Sequence, residues 1–346
     1  MRVGLVGFAG SGKTTVFNTL TGLNVPVGFG GEVHLGTVRV PDERIDKLSA
    51  MFKPKKTTYA EIVFSDIPGE HDAEKKGLSR KALDKLRDVD VLCLVLRAFE
   101  NPALEGDPDP ARDFEAFVAE CLLSDLGTVE KRLDRAKKEK LPPLEVQAFE
   151  LMKQTLENEL PIRSLPPSVL NRDFLKGYGF ITERPLLVVL NRAESEAAEP
   201  MPAAIEQRLK PLQAAGMVLA ASVEAEIAAM DAADQAAFLA DLGLKESAVA
   251  RFIRTAYGLL DLISFFTVGQ DEVRAWPIRR GIHARAAAGK IHSDLERGFI
   301  RAEVMKYDDF IKYGSEHALR EAGHLKLEGK DYVMQDADIV SIRFNV

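Results

Sequence analysis

Apolar residues concentrate in three short stretches of the chain: Val3–Val6, Val89–Leu96 and Pro185–Leu190. Each is too short for a core helix and lacks the helical period. Such runs read as strands buried on both faces, as in a parallel sheet. A fourth stretch, Tyr59–Ser65, alternates apolar and polar positions and reads as an edge or antiparallel strand. Helical stretches separate these runs. The pattern predicts an α/β fold with a mostly parallel sheet. Ligand loops then belong at the carboxyl ends of the strands.

Residues 111–164 carry a different period. Phe114, Val118, Leu122, Leu126, Val129 and Leu133 fall three or four residues apart. So do Phe149, Met152, Leu156 and Leu160. Both series predict helical seams. The charged run Lys137-Lys138-Glu139-Lys140 and then Pro142-Pro143 lie between them, and the prolines stop the first helix. The segment reads as an antiparallel helical hairpin inserted between residues 1–110 and 165–262. Its charges fit two solvated helix faces, or a projecting arm that touches a partner. The Ala-rich stretch Ala214–Ala240 reads as helical.

From about Ile263 the pattern changes again. Strand candidates appear at Ser264–Val268, Val273–Ile278, Gly298–Val304 and Asp331–Val346, with a helix-like piece at Arg285–Glu296. Residues 263–346 therefore predict a small α+β domain with its own core.

The formal net charge is −7 and the pI about 5.6, so the chain as a whole is not a general polyanion binder. An RNA contact would need a local patch, and Arg274, Arg279, Arg280, Arg285 and Lys290 are the candidates. His283 and His292, beside them, read as surface or helix-packing residues. Cys93 and Cys121 are in no metal-ligand spacing, and Cys93 lies in a core run. The first strand begins at once, which leaves no room for a cleavable leader. No apolar run approaches membrane-spanning length. The expectation is a reduced, cytoplasmic protein.

The chemistry begins at the end of the first strand. Gly7-Phe8-Ala9-Gly10-Ser11-Gly12-Lys13-Thr14 is a complete phosphate loop, and Thr15 opens the helical run behind it. The glycines let backbone N–H groups turn around phosphates. Lys13 supplies a point charge to the β and γ oxygens, and the Thr14 hydroxyl reaches Mg²⁺. Gly10 through Thr15 are thus candidate nucleotide contacts. Asp66-Ile67-Pro68-Gly69 follows the Tyr59–Ser65 strand and has the D-x-x-G form of switch proteins. Asp66 would meet Mg²⁺, and the Gly69 N–H a γ-phosphate. No Gln follows Gly69. Glu70 or His71 could position water in its place, Glu70 being the candidate taken, with Lys13 the charge-neutralising catalytic residue. A loop acid beside a γ-phosphate also repels it.

Asn191-Arg192-Ala193-Glu194 ends the Pro185–Leu190 strand, where guanine-nucleotide switches carry N-K-x-D. Glu194 is one methylene longer than Asp, which disturbs the bidentate fit to guanine. Asn191 is expected to pair with a purine edge. Ala221 and Ser222 lie in the matching base-side loop.

With these motifs the chain resembles the YchF/Obg-like ATPase family of Obg-related P-loop proteins. The most specific likeness is C-terminal: Phe265-Phe266-Thr267-Val268-Gly269, Glu272-Val273-Arg274-Ala275-Trp276 and Ala287-Ala288-Gly289-Lys290-Ile291-His292-Ser293-Asp294. Gly298-Phe299-Ile300-Arg301-Ala302-Glu303, Tyr307-Asp308-Asp309-Phe310, Leu327-Glu328-Gly329-Lys330-Asp331-Tyr332 and Arg343-Phe344-Asn345-Val346 continue it. These are similar to that family's TGS domain, a ubiquitin-like β-grasp. Thr128–Leu133 resembles the start of its coiled-coil arm. The resemblance implies nucleotide hydrolysis with ATP accepted, often over GTP. It also implies contact with the ribosome, here assigned to the arm and the TGS domain. The chain departs from the family in its phosphate loop, in Glu70, and in the first switch. Leu23–Gly36 contains no Thr, and Thr37 comes late. A nucleotide-gated ribosome- or RNA-binding regulator with GTP preference or negligible hydrolysis is the alternative reading.

Overall fold

The computed structural model describes residues 1–27, 32–68, 78–170, 173–175, 177–197, 199–241 and 246–345, and the elements and contacts below belong to those. The strands up to residue 219 are β1 (Arg2–Val6), β2 (His34–Arg39), β3 (Lys56–Thr58), β4 (Glu61–Asp66), β5 (Val91–Ala98), β6 (Leu186–Arg192) and β7 (Ala214–Leu219). All but β3 form one sheet in the order β2-β4-β1-β5-β6-β7. The pairs β1–β4, β1–β5, β5–β6 and β6–β7 are parallel. The α/β fold read from the apolar runs is therefore present, with β1, β5 and β6 at the centre of the sheet.

Two local readings need correction. Of the two alternatives for the Tyr59–Ser65 run, the edge strand fails, for β4 lies between β2 and β1, and it pairs parallel to β1. Its alternation reflects unequal faces: Ile62, Phe64 and Asp66 are buried, while Val63 and Ser65 are half-buried. The Ala-rich stretch is not helical throughout. Ala214–Leu219 is β7, paired to β6, and helix begins only at Ala221. Alanine's helix propensity yields there to ladder hydrogen bonds with β6 along the edge of the sheet.

Helices α1 (Lys13–Thr21), α2 (Glu43–Phe52), α3 (Arg80–Leu86), α4 (Pro110–Glu139) and α5 (Pro143–Glu157) occupy the first half. Asp109 caps α4 by accepting from the Arg112 N–H, and Pro110 sits in its first turn. Pro143 opens α5 in the same way. Phe114, Phe117, Val129, Phe149 and Met152 belong to the same buried cluster as Leu94, Val188 and Leu190 of the sheet. The base of the hairpin is therefore part of the nucleotide-domain core, which Leu133 still touches, while Lys131, Arg135, Lys138 and Lys140 toward its far end are exposed. Cys93 and Cys121 are both buried, and burial raises both thiols far above their usual range.

The chain divides into two compact units: residues 1–38 with 63–259, and 39–62 with 260–346. Segment 39–62 thus leaves the nucleotide domain where the sequence reading had kept it. The reason is burial. α2 turns Ile45 and Leu48 inward, and Phe52 stacks on Phe310 with ring centroids 5.3 Å apart. β3 adds to a second sheet built from β8 (Leu262–Thr267), β9 (Glu272–Arg279), β10 (Phe299–Lys306), β11 (Lys326–Glu328) and β12 (Asp338–Phe344). Its order is β11-β10-β12-β8-β9-β3. The helix Ala284–Ile291 covers one face of it with Ala284 and Ala287. The predicted α+β unit is present, completed by a piece from the first half of the sequence.

Candidate functional site

β1 ends at Val6, and the phosphate loop turns directly into α1. Gly12 is the N-cap of that helix at φ 83°, a left-handed conformation. A Cβ there would also run into Asn191 Nδ2, so glycine is required on both counts. No side chain caps α1, and its first turn holds no acidic residue. Its N-terminal N–H groups and dipole are left for an anion.

Lys13 is 8 % exposed, and its Nζ donates to the Phe8 carbonyl at 2.9 Å. Burial lowers its pKa to about 8, with Asp66 pulling the other way. Thr14 Oγ1 donates to Asp66 Oδ2 at 2.8 Å. The D-x-x-G strand end and the phosphate loop therefore meet, as their spacing in a parallel sheet requires. Among the described residues, Asp66 Oδ1 and Ser11 Oγ are buried polar atoms without a hydrogen-bond partner. Such orphans are costly unless a ligand completes them. The hard oxygen donors of Thr14 and Asp66 suit Mg²⁺, which takes few protein ligands and fills its octahedron with phosphate and water. Among the described residues no cluster of three or more His, Cys, Asp or Glu competes as a metal site. Gly69, Glu70 and the adjacent His71 lie outside the described residues. Thr37 is exposed on β2.

Asn191 is 4 % exposed at the end of β6. Its Nδ2 donates to the Ser11 carbonyl at 3.2 Å, and its Oδ1 accepts from the Ala221 N–H at 3.1 Å. Its amide thus braces the phosphate loop against the base-side loop, and the second Nδ2 hydrogen is used by neither bond. Thr19 adds a second tie, donating to the Ala221 carbonyl at 3.2 Å. Arg192 faces its own loop, donating to Glu199 at 2.7 Å and to the Pro200 carbonyl at 2.8 Å.

A cavity of about 770 Å³ opens beside these residues, lined by Gly12, Thr15, Asn191, Glu194, Ala221 and Ser222 among others. Every base-side residue read from the sequence therefore borders one space, continuous with the phosphate loop. The opposite wall was not anticipated. It consists of Ala98, the last residue of β5, and of Phe99, Glu100, Asp107 and Pro108 from the loop after it. The available signal was an aromatic residue at the carboxyl end of a strand adjacent to β1. In the C-terminal unit the basic patch is partly spent. Arg274 stacks on Trp276 at 3.9 Å, Arg280 pairs with Asp261 at 3.0 Å, and Arg285 donates to the Glu296 carbonyl at 3.1 Å.

A parallel sheet, a phosphate loop joined to an Mg²⁺-type Thr–Asp pair, and a base-sized cavity define a P-loop NTPase of the GTPase fold class. Residues 2–123 match the family model described as "50S ribosome-binding GTPase", and residues 262–345 match YchF-GTPase_C, described as "Protein of unknown function (DUF933)". The chain is 37 % identical to the ribosome-binding ATPase YchF of Bacillus subtilis (strain 168), with 100 % of both chains covered. It is 34 % identical to Obg-like ATPase 1 of Oryza sativa subsp. indica, covering 100 % of this chain and 92 % of that one. The solved Schizosaccharomyces pombe YchF GTPase superposes with a TM-score of 0.85 at 30 % identity, over 99 % of this chain and 97 % of that one. The protein belongs to the YchF family.

Proposed function

We propose that this protein is an Mg²⁺-dependent P-loop NTPase, ATP-leaning and slow, that works in the cytoplasm as a ribosome-associated switch. The observation that carries the reading is the Thr14–Asp66 contact at 2.8 Å beside the orphaned Asp66 Oδ1 and buried Lys13. Thr14 and Asp66 would hold Mg²⁺, which supplies charge neutralisation on the β and γ oxygens. Lys13 exchanges the Phe8 carbonyl for phosphate oxygens. The N-terminal N–H groups of α1 orient the same phosphates, and Asn191 keeps the loop in shape while they bind. Glu70, beside Gly69 in sequence, is the proposed water-positioning residue.

The ATP preference is supported by the wall of the cavity. Among its lining residues, Glu194 stands where a guanine reader carries the shorter Asp, and its extra methylene disturbs the paired contact to guanine N1–H and N2–H₂. The Ala221 N–H is already engaged by Asn191. The absence of a Gln after Gly69, and Thr37 placed on β2, support slow intrinsic turnover. Ribosome contact is supported by the names of the relatives and by the exposed Lys131, Arg135, Lys138 and Lys140 at the far end of the hairpin. No helix among the described residues is long and apolar enough to cross a membrane.

The departures in the switch residues favour a second reading, a nucleotide-gated ribosome- or RNA-binding module with negligible hydrolysis. Steady-state phosphate release with and without ribosomes separates the two. Turnover that ribosomes accelerate supports the enzyme. Nucleotide-dependent ribosome binding with no release supports the module.

A further inference from the structure

The loop Phe99–Asp109 leaves β5 and runs along the phosphate loop. A Cβ built on Gly10 would run into Leu104 Cδ1 and stand 3.1 Å from Asn101 Nδ2. The Asn101 amide is held in one orientation. Its Oδ1 accepts from the Ala103 N–H at 3.1 Å, and its carbonyl accepts from the Leu104 N–H at 3.0 Å. Arg97 holds the far side of the loop through the Gly106 and Asp107 carbonyls, at 3.3 Å each. With the oxygen committed to Ala103, the NH₂ end is the one beside Gly10. Among the described residues no acceptor is hydrogen-bonded to it.

We propose that Asn101 is a further phosphate-binding residue, whose Nδ2 donates to β-phosphate oxygens of the bound nucleotide. The assignment rests on the nucleotide-site reading above. Gly10 lies mid-way along the phosphate loop, where backbone N–H groups turn around the α- and β-phosphates. A donor fixed there meets phosphate oxygens and no part of the base. Hydrogen bonds to ionised acceptors are roughly twice as strong as neutral ones, and this donor has its geometry set before the ligand arrives.

Two substitutions isolate the donor from the turn. Ser and Asp both accept a hydrogen bond from a backbone N–H two residues on, so Asn101→Ser and Asn101→Asp retain the tie to Ala103. Calorimetric titration of ATP, ADP and AMP into the full chain tests the assignment, with Lys13→Ala as control. Asn101→Ser is expected to weaken ATP and ADP about tenfold. Asn101→Asp, which sets an anion against the phosphates, is expected to weaken them on the order of a hundredfold. AMP, lacking a β-phosphate, is expected to change less than threefold or so in both variants. ATP binding unchanged in Asn101→Asp overturns the assignment, as does an equal loss for AMP. If the wild type loses ATP on Lys13→Ala yet ignores Asn101→Asp, this assignment alone fails. A wild type that binds no nucleotide overturns the site reading and this assignment with it.

Discussion

Asn191 Nδ2 donates to the Ser11 carbonyl at 3.2 Å, which ties the end of β6 to the middle of the phosphate loop. The other end of the same amide holds the Ala221 N–H. One buried side chain thus fixes the separation between the phosphate grip and the base cavity. Asn191→Ala removes both bonds and leaves a buried carbonyl and N–H unpaired. The expected cost is about 2–4 kcal/mol of stability. Nucleotide affinity should fall about equally for ATP and GTP, since the brace serves both. Denaturant unfolding and parallel titrations check the two halves.

Gly12→Ala tests the same relationship from the other side. The new Cβ meets Asn191 Nδ2, and the residue is held at φ 83°. Relief requires the brace to break or the loop to move. Nucleotide binding should be lost with a stability cost of about 1–3 kcal/mol. Wild-type affinity in this variant would refute the close packing.

Lys13 gives a pH signature. Burial lowers its folded pKa to about 8, against 10.5 for the ordinary side chain. Between those values the unfolded chain holds the extra proton, so the nucleotide-free protein gains stability as pH rises through the window. Below about pH 8 both states are protonated and the burial cost is complete. The wild type minus Lys13→Met difference in unfolding free energy, measured across pH 7 to 10, isolates this contribution (the window being set by about 8 and 10.5). Nucleotide phosphates favour the ammonium, so binding takes up a proton above about pH 8. Affinity is expected to be flat below that point and to fall by up to about tenfold per pH unit above it. Calorimetry in buffers of different ionisation enthalpy detects the uptake.

Much of this site was readable before any coordinates. Gly7–Thr14, Asp66 and Asn191–Glu194 stand at strand ends, where a parallel sheet gathers loops that are far apart in sequence. The apolar runs set that sheet, so the motifs had to converge. Segment 39–62 was not readable in the same way. α2 is amphipathic whichever core it faces, and no local signal names its partner sheet. The edge assignment for β4 failed because alternation reports unequal burial of two faces, which an interior strand can also have. Phe99 and Asn101 were missed because single residues in a loop carry no period. Their role depends on the loop lying against Gly10.

The base preference turns on Glu194. Its carboxylate is one methylene too long for the bidentate guanine contact and borders the cavity with three other acidic residues, Glu100, Asp107 and Glu196. Glu194→Asp should move the ATP-to-GTP affinity ratio toward GTP by roughly tenfold. An unchanged ratio in competition titrations would show that the base does not reach this residue.

Ribosome contact through the hairpin predicts a charge effect. Reversing Lys131, Arg135, Lys138 and Lys140 to Glu leaves the buried base of α4 and α5 untouched. Co-sedimentation with ribosomes should weaken by about tenfold or more and lose most of its salt dependence. Nucleotide affinity should stay at the wild-type value.

The most direct test is titration of ATP and GTP, with Mg²⁺, into the wild type and Lys13→Ala. The account predicts that ATP binds the wild type at least as tightly as GTP, and that Lys13→Ala abolishes both. A large GTP preference contradicts the base assignment, and undiminished binding by Lys13→Ala contradicts the site itself.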